Sequence, residues 1–521
     1  MHFCRNYYFI LWQLFVCLSF SVSANDEGTS EPRFVTLLFT NDIESAYEPT
    51  LAYWRDDLHK IGGISELASL IDQIRANEPR VFLFDAGDIF TGTLSKRTRG
   101  ELPFELMMSM SYDAMCIGNH EFEYGWMELA RQKNRVAFPV LGANLFYKGT
   151  DHPFAQPYAI VERAGVRIGV IGVLGQDAAT SLIPANIAGV DVRDPAIYVS
   201  RYVQKLRASV DLIVLLTHQG KTAPMQTDDE AHPEIQRDIQ ADIDLAGVVD
   251  GIDVLFAGHA DAGTRKPVVH PETGTLIMQT FGQGYHLGYL KVELDDNRGG
   301  IASYEGKLIP VDSEALAKHP AIECKLSLYR GQHPDLFENA GHVSQRLSRD
   351  YNAESDLGNL FADIVRQQMQ ADVGLMPSGA LRRDLAQGTV RQVDLLDAFP
   401  FTDRVASLEL SGAVLLEVIE QGLSLERGVL QVSGLEVHYN PQALPGRRIN
   451  SIKVNGQALV SKALYRVATV EILAQGGDKY VQFKRAEKLE FARDSFSKIL
   501  LTYFASRNTV FTPVRGRLIA D

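Results

Sequence analysis

The chain has 521 residues, a formal net charge of −14 and an apolar share of 45 %. That length can bury two or three full cores without disulfide staples. The acidic balance excludes a nucleic acid polymer or an anionic membrane as the natural partner, but not a small phosphorylated substrate met by cations and arginines.

Residues 1–24 read as an export signal: MHFCR is a basic start, YYFILWQLFVCLSF an apolar core, and Val22-Ser23-Ala24 a small-residue cleavage site. The apolar run is too short for a membrane span, and the terminal RLIAD lacks the hydrophobic tail of a lipid-anchor signal. The mature protein is therefore expected to be exported, periplasmic or secreted, with no membrane attachment once the signal is removed. Cys116 and Cys324 remain after cleavage, and Cys116, inside an apolar run, reads as a buried filler.

From about Arg33 to Val311, strand-like and helix-like segments alternate as in an α/β domain. Five polar clusters stand there, each just after an apolar run rich in Val, Ile, Leu and Phe. They are Asn41-Asp42-Ile43-Glu44, Asp85-Ala86-Gly87-Asp88, Gly118-Asn119-His120-Glu121, Thr217-His218-Gln219 and Gly258-His259-Ala260-Asp261. Such runs suit strands buried on both faces, and ligands gather where such strands end in open α/β sheets. Oxygen and imidazole donors converging from five strand ends make a two-metal hydrolytic site the leading reading. The stripe Leu67, Leu70, Ile71 and Ile74 predicts a helix packed on the core.

Residues 312–350 turn polar and weakly helical, as an interdomain joint would. A capped helix is expected to start at Glu354-Ser355-Asp356 and run through Leu360 and Ile364 to Met369. Stretches such as VSGLEVHYN and YRVATVEIL then mix strands with helices, which makes 351–521 a second, smaller α/β domain.

The ordered set Asn41-Asp42, Gly87-Asp88, Gly118-Asn119-His120-Glu121, Thr217-His218 and Gly258-His259 resembles the signature of calcineurin-like metallophosphoesterases. ESDLGNLFAD, SGALRRDL, FPFTDRV, LQVSGLEVHY and ILAQGGDKY are similar to the C-terminal substrate-binding domain of 5′-nucleotidases. The resemblance implies an αββα metallophosphoesterase sandwich over 33–311. It also implies two divalent metal ions, with Asp88 bridging them, Asn119, His218 and His259 completing one shell, and Asp42 on the other. His120 would stand beside the phosphate. Arg382 and Asp478 would hold substrate, with Arg383 and Arg404 as weaker candidates.

Three departures stand out: Glu44 and Asp261 replace the usual histidines of the first and last motifs, and Glu123 replaces the aspartate that orients the catalytic histidine. A first metal held by Asp42, Glu44, Asp88 and Asp261 would see only hard oxygens, which favours Mn²⁺, with Zn²⁺, Mg²⁺ and Ca²⁺ as the alternatives. Extra negative charge makes the bridging water a weaker acid and shifts the optimum to alkaline pH. The family also stacks the nucleobase between two rings, and this sequence has Val429 and Ile472 at the positions assigned to them. The expected function is 5′-nucleotidase-type hydrolysis of nucleotide phosphate esters by a dimetal-bridged hydroxide, with Asn119, His120 and Glu123 as the catalytic group. Two alternatives stay open: a phosphodiesterase acting on nucleotide sugars, cyclic nucleotides or other phosphoesters, and a catalytically silent ligand-binding protein.

Overall fold

Two six-stranded sheets, stacked face to face, carry the first half of the chain in a computed structural model that describes residues 32–221, 238–295, 299–425 and 428–521. The expected export signal lies outside the described residues. The first sheet runs in the order Ile301–Pro310, His286–Leu294, Phe34–Thr40, Val81–Asp85, Ala114–Cys116, Val140–Leu141. Its last four strands are parallel. The second sheet centres on the parallel strands Val166–Leu174, Leu212–Gln219, Val254–His259 and Leu276–Gln279.

Strand alternation explains the layering. Val35, Leu37, Phe39, Phe82 and Phe84 of the first sheet meet Val214, Leu216, Phe256 and Met278 of the second in one fully enclosed core. Phe39 stacks on Phe256 with ring centroids 4.1 Å apart, a contact worth about 0.5–1.5 kcal/mol beyond its buried area. The alternate residues face outward onto helices. Leu38, Leu83 and Met115 meet Leu67 and Ile71 of the helix Ile64–Asn77. Ile171, Ile213 and Leu215 meet Val199 and Val203 of the helix Pro195–Leu206. The result is the αββα sandwich, with the central strands of both sheets buried on both faces. Cys116 sits free and buried within it, as its apolar surroundings suggested.

The C-terminal region builds its own core on a five-stranded sheet, ordered Leu430–Ser433, Val373–Pro377, Leu464–Val470, Arg404–Ser411, Glu487–Ser495. The helix Asp356–Gln368 starts where its capping sequence indicated, with the Ser355 hydroxyl accepting from the Gly358 N–H at 3.1 Å. The expected joint is more ordered than its polarity suggested. It contains the helix Pro320–Gln332, whose Ile322, Leu326 and Tyr329 pack into the core of the first half. Three well-spaced apolar residues are enough to anchor a helix that is charged elsewhere. No helix among the described residues is long and apolar enough to cross a membrane.

Candidate active site

The parallel strands of both sheets end at one edge, and the five polar clusters meet there. Glycine permits the approach. A methyl group on Gly118 would lie 2.7 Å from the Asp88 backbone nitrogen, and one on Gly258 would lie 2.8 Å from His218 Nδ1. Both distances are well inside van der Waals contact, so any larger residue would push the loops apart.

The candidate ligands are also held in left-handed backbone, with φ of 50° at Asp42, 45° at Glu44, 63° at Asp88, 74° at His259 and 52° at Asp261. Each such residue costs roughly 1–3 kcal/mol and persists only where its surroundings over-determine it. Buried carboxylates supply that determination here. Glu121 accepts backbone N–H bonds from Gly118 at 2.7 Å, Asp88 at 2.9 Å and Ile89 at 2.8 Å. Asp85 accepts from the Gly87 N–H at 2.9 Å and the Thr40 hydroxyl at 2.6 Å. Asp42 accepts from the His259 N–H and from Asn41 Nδ2.

At the centre, His218 donates Nδ1–H to the Ala86 carbonyl at 2.8 Å. That leaves Nε2 facing Asp88 Oδ2 at 2.9 Å and Asn119 Oδ1 at 3.1 Å. A neutral imidazole would present a lone pair to two further acceptors, an arrangement satisfied only by a proton or a cation at Nε2. Asp88, His218 and His259 bring three donor atoms within 4.8 Å of one another, and so do Glu44, Asp88 and His120. Asp88 is common to both groups, and with Asp42, Glu44, Asn119 and Asp261 lining the same cavity there are enough donors for a pair of divalent cations.

Charge balance agrees. Burial alone would depress the His218 and His120 pKa values. Asp88 and Asp42 lift His218 to about 10, and Asp88, Glu123 and Glu44 lift His120 to about 9. Asp42 is raised to about 7, chiefly by burial. Burial would raise Asp88 too, but His218 and His120 outweigh it and hold that carboxyl well below the usual range.

His120 bridges the cluster to the rest of the pocket. Its Nε2 lies 3.3 Å from Glu44 Oε1 and its Nδ1 3.5 Å from Glu123 Oε2. Glu44 also accepts from Arg382 Nη1, 3.0 Å from both carboxylate oxygens, and from Gln283 Nε2 at 2.7 Å.

One cavity is lined by Asp42, Glu44, Asp88, Asn119, His120, Glu123, His259 and Asp261 from the sandwich and by Arg382 and Asp478 from the C-terminal region. His218 lies fully buried directly behind it. Two residues singled out in the sequence face elsewhere. Arg404 is half exposed, pairs with Glu471 at 2.9 Å and covers the Phe491 ring. Arg383 lies 3.5 Å from Asp397, outside this cavity.

Sequence reasoning missed Tyr351, Phe399, Phe401 and Asp403, which all line the cavity. Phe401 stands 6.0 Å from the His120 ring, and the Arg382 guanidinium covers it at 5.4 Å. Three of the four lie in FPFTDRV, so the signal was present. The first ring was sought at Val429, which is buried in the C-terminal core, whereas Ile472 does line the cavity.

Asp403 offers a stability test. Its Oδ1 accepts from the Ile472 N–H at 2.9 Å, and burial lifts its pKa to about 7. A carboxyl raised on folding binds more protons when folded, so its contribution is fully present below about pH 4 and is lost as pH rises through 7. Asp403→Asn keeps the acceptor without the charge. Thermal melts should show this variant more stable than wild type at pH 8 by about 1–4 kcal/mol, with no gain at pH 4. Equal shifts at both pH values would refute the assignment.

The comparisons with known proteins match this picture. Residues 57–260 match the family model for calcineurin-like phosphoesterases, and residues 338–485 that for the 5′-nucleotidase C-terminal domain. The chain is 26 % identical over 496 residues to a 5′-nucleotidase of Vibrio cholerae, spanning 86 % of this chain and 85 % of that one. It superposes on a 5′-nucleotidase precursor from Thermus thermophilus with a TM-score of 0.81 and 25 % identity, covering 94 % and 99 % of the two chains. A sulfate thiohydrolase from the same organism shares the fold at a TM-score of 0.77 and 20 % identity, over 93 % and 96 %. The chain thus joins a calcineurin-like phosphoesterase domain to a 5′-nucleotidase C-terminal domain, is similar to 5′-nucleotidases over most of its length, and is a hydrolase of phosphate esters.

Proposed function

We propose that the protein is an exported, metal-dependent phosphohydrolase that releases phosphate from nucleotides. The observation that carries this reading is the cavity in which Asp42, Asp88, Asn119, His120 and His259 face Arg382, Phe401 and Asp478. The first set suits phosphate chemistry and the second suits a nucleoside. The reading takes 33–311 as the catalytic domain, 351–521 as the substrate domain and 312–350 as the segment joining them.

Asp42, Asp88, Asn119, His218 and His259, with Glu44 and Asp261, are the residues that would hold the metals. Two divalent cations bound there supply Lewis acidity to the phosphoryl group and acidify the attacking water. The Arg382 fork suits phosphate oxygens, which it can take up by releasing Glu44. His120 lies on the cavity wall where the leaving oxygen gains charge and can stabilise or protonate it. Glu123, on the far side of the ring, fixes its orientation. Phe401 and Ile472 both line the cavity, and the Phe401 ring is the aromatic on which a base would stack.

The test is phosphate release by metal-stripped mature protein resupplied with Mn²⁺, Zn²⁺, Mg²⁺ or Ca²⁺ singly. AMP, UDP-glucose, 2′,3′-cyclic AMP and glycerol 3-phosphate form the panel. AMP is expected to be the best substrate, and Mn²⁺ to restore more activity than Zn²⁺ because Glu44 and Asp261 add hard oxygens. Phe401→Ala should cut kcat/KM for AMP about 10–100-fold, the worth of one stacked base, while glycerol 3-phosphate changes little. Preference for UDP-glucose or the cyclic nucleotide would transfer the reading to a phosphodiesterase. Silence on every ester would leave a ligand-binding protein.

A further inference from the structure

The catalytic cavity has a volume of about 100 Å³. A second and larger cleft of about 370 Å³ lies against it. Arg382 lines both, so its side chain is the wall between them. Arg346, Arg349, Arg383 and Arg391 complete a set of five arginines around the cleft, with the carboxylates of Glu48, Asp384 and Asp394 in its lining and those of Glu44 and Asp397 paired to Arg382 and Arg383. On a chain with a formal net charge of −14, five guanidinium groups around one cleft stand out.

The arginines are held in place. Arg346 Nε donates to Asp384 Oδ2 at 3.0 Å, and its guanidinium lies 3.9 Å from the centre of the Tyr53 ring. Arg349 lies 3.7 Å from the same aspartate, and Arg383 pairs with Asp397. Trp54 and Tyr285, ring centroids 5.9 Å apart, form an aromatic part of the lining. Arg382 and Gln283 both donate to Glu44, and Gln283 also faces the cleft.

We propose that this cleft is a second anion site, which takes the extended phosphate chain of a nucleoside oligophosphate whose reacting group lies in the catalytic cavity. Guanidinium forks match successive phosphates, and pairing with single carboxylates orients them. The inference rests on the phosphohydrolase reading for its substrate, but the anion site itself can be measured without turnover.

Titration calorimetry of metal-stripped protein with tripolyphosphate reads the cleft alone. Binding at one site per chain is expected, tighter at low than at high salt. Arg346→Ala should weaken it about fivefold, and Asp384→Asn, which removes a competing carboxylate, should tighten it by a similar factor. Opposite shifts from two neighbouring substitutions cannot come from general loosening of the fold. In the metal-loaded enzyme, Arg346→Ala should raise KM for ATP about fivefold at unchanged kcat, with AMP kinetics unaltered. No tripolyphosphate binding, shifts of the same sign in both variants, or equal changes for ATP and AMP would each overturn the proposal. An enzyme that binds tripolyphosphate as expected but hydrolyses no ester would retain the anion site and sink the phosphohydrolase reading instead.

Discussion

Replacing Asp88 with asparagine is expected to cost the protein both its metals and its activity. Asp88 is the shared member of both donor groups, buried, and in contact with His218 through Oδ2 and the His120 N–H through Oδ1. Asparagine keeps the shape and one acceptor but removes the charge that balances two cations. Lewis-acid stabilisation is worth several kcal/mol in such sites, so kcat/KM should fall about 10³-fold or more. The second readout is metal content: the purified variant should retain less metal than wild type after dialysis. The third is the melt, because a cation that binds only the folded state raises its stability by mass action. Added Mn²⁺ should therefore raise the wild-type Tm and leave the variant nearly unmoved. Full metal occupancy in Asp88→Asn would show that the shared aspartate is not the keystone of the site.

His120→Ala should separate chemistry from metal binding. The His120 ring stands at the mouth of the metal cluster, between Glu44 and Glu123, and Phe401 lies beyond it. Loss of a positioned acid typically costs about 10²–10⁴-fold, so kcat should drop by that factor while metal content and the metal-dependent Tm shift stay near wild type. Glu123→Gln, which weakens only the hold on Nδ1, should cost about tenfold and alter the basic limb of the pH profile. If His120→Ala loses its metals as Asp88→Asn does, the histidine belongs to the metal shell rather than to the reacting phosphate.

Both expectations begin from residues visible in the chain. Asp88, Asn119, His120, His218 and His259 could be found because strands buried on both faces read as unbroken apolar runs, and polar residues after such runs stand out. Parallel strands then deliver those residues to one edge as a matter of topology. The αββα sandwich was expected from the family resemblance, whereas the Leu67 and Ile71 stripe and the Ser355 cap are local or periodic features of the sequence.

Other parts were beyond a linear reading. Glu44 was expected to be a metal donor only, yet it also receives Arg382 from 338 residues away and Gln283 from 239. No periodicity reports which of two distant side chains will share a carboxylate. Arg382 was expected to hold substrate, with Arg383 and Arg404 as weaker candidates. Burial against Glu44 put the first in the cavity, Asp397 drew the second to the neighbouring cleft, and Glu471 holds the third at the surface. Phe401 was legible as an aromatic in a family-like stretch, but only packing showed that it, and not the chain near Val429, faces the cavity.

The order of strands and helices, the donor types at the strand ends and hence the class of chemistry were already set by the linear chain, because burial patterns and ligand chemistry are written residue by residue. Folding in three dimensions settled which cations meet which carboxylates, where the aromatic wall stands and that a second arginine-lined cleft adjoins the first. Those outcomes depend on contacts between segments hundreds of residues apart, whose partners are selected by shape and desolvation at closure rather than by spacing along the chain.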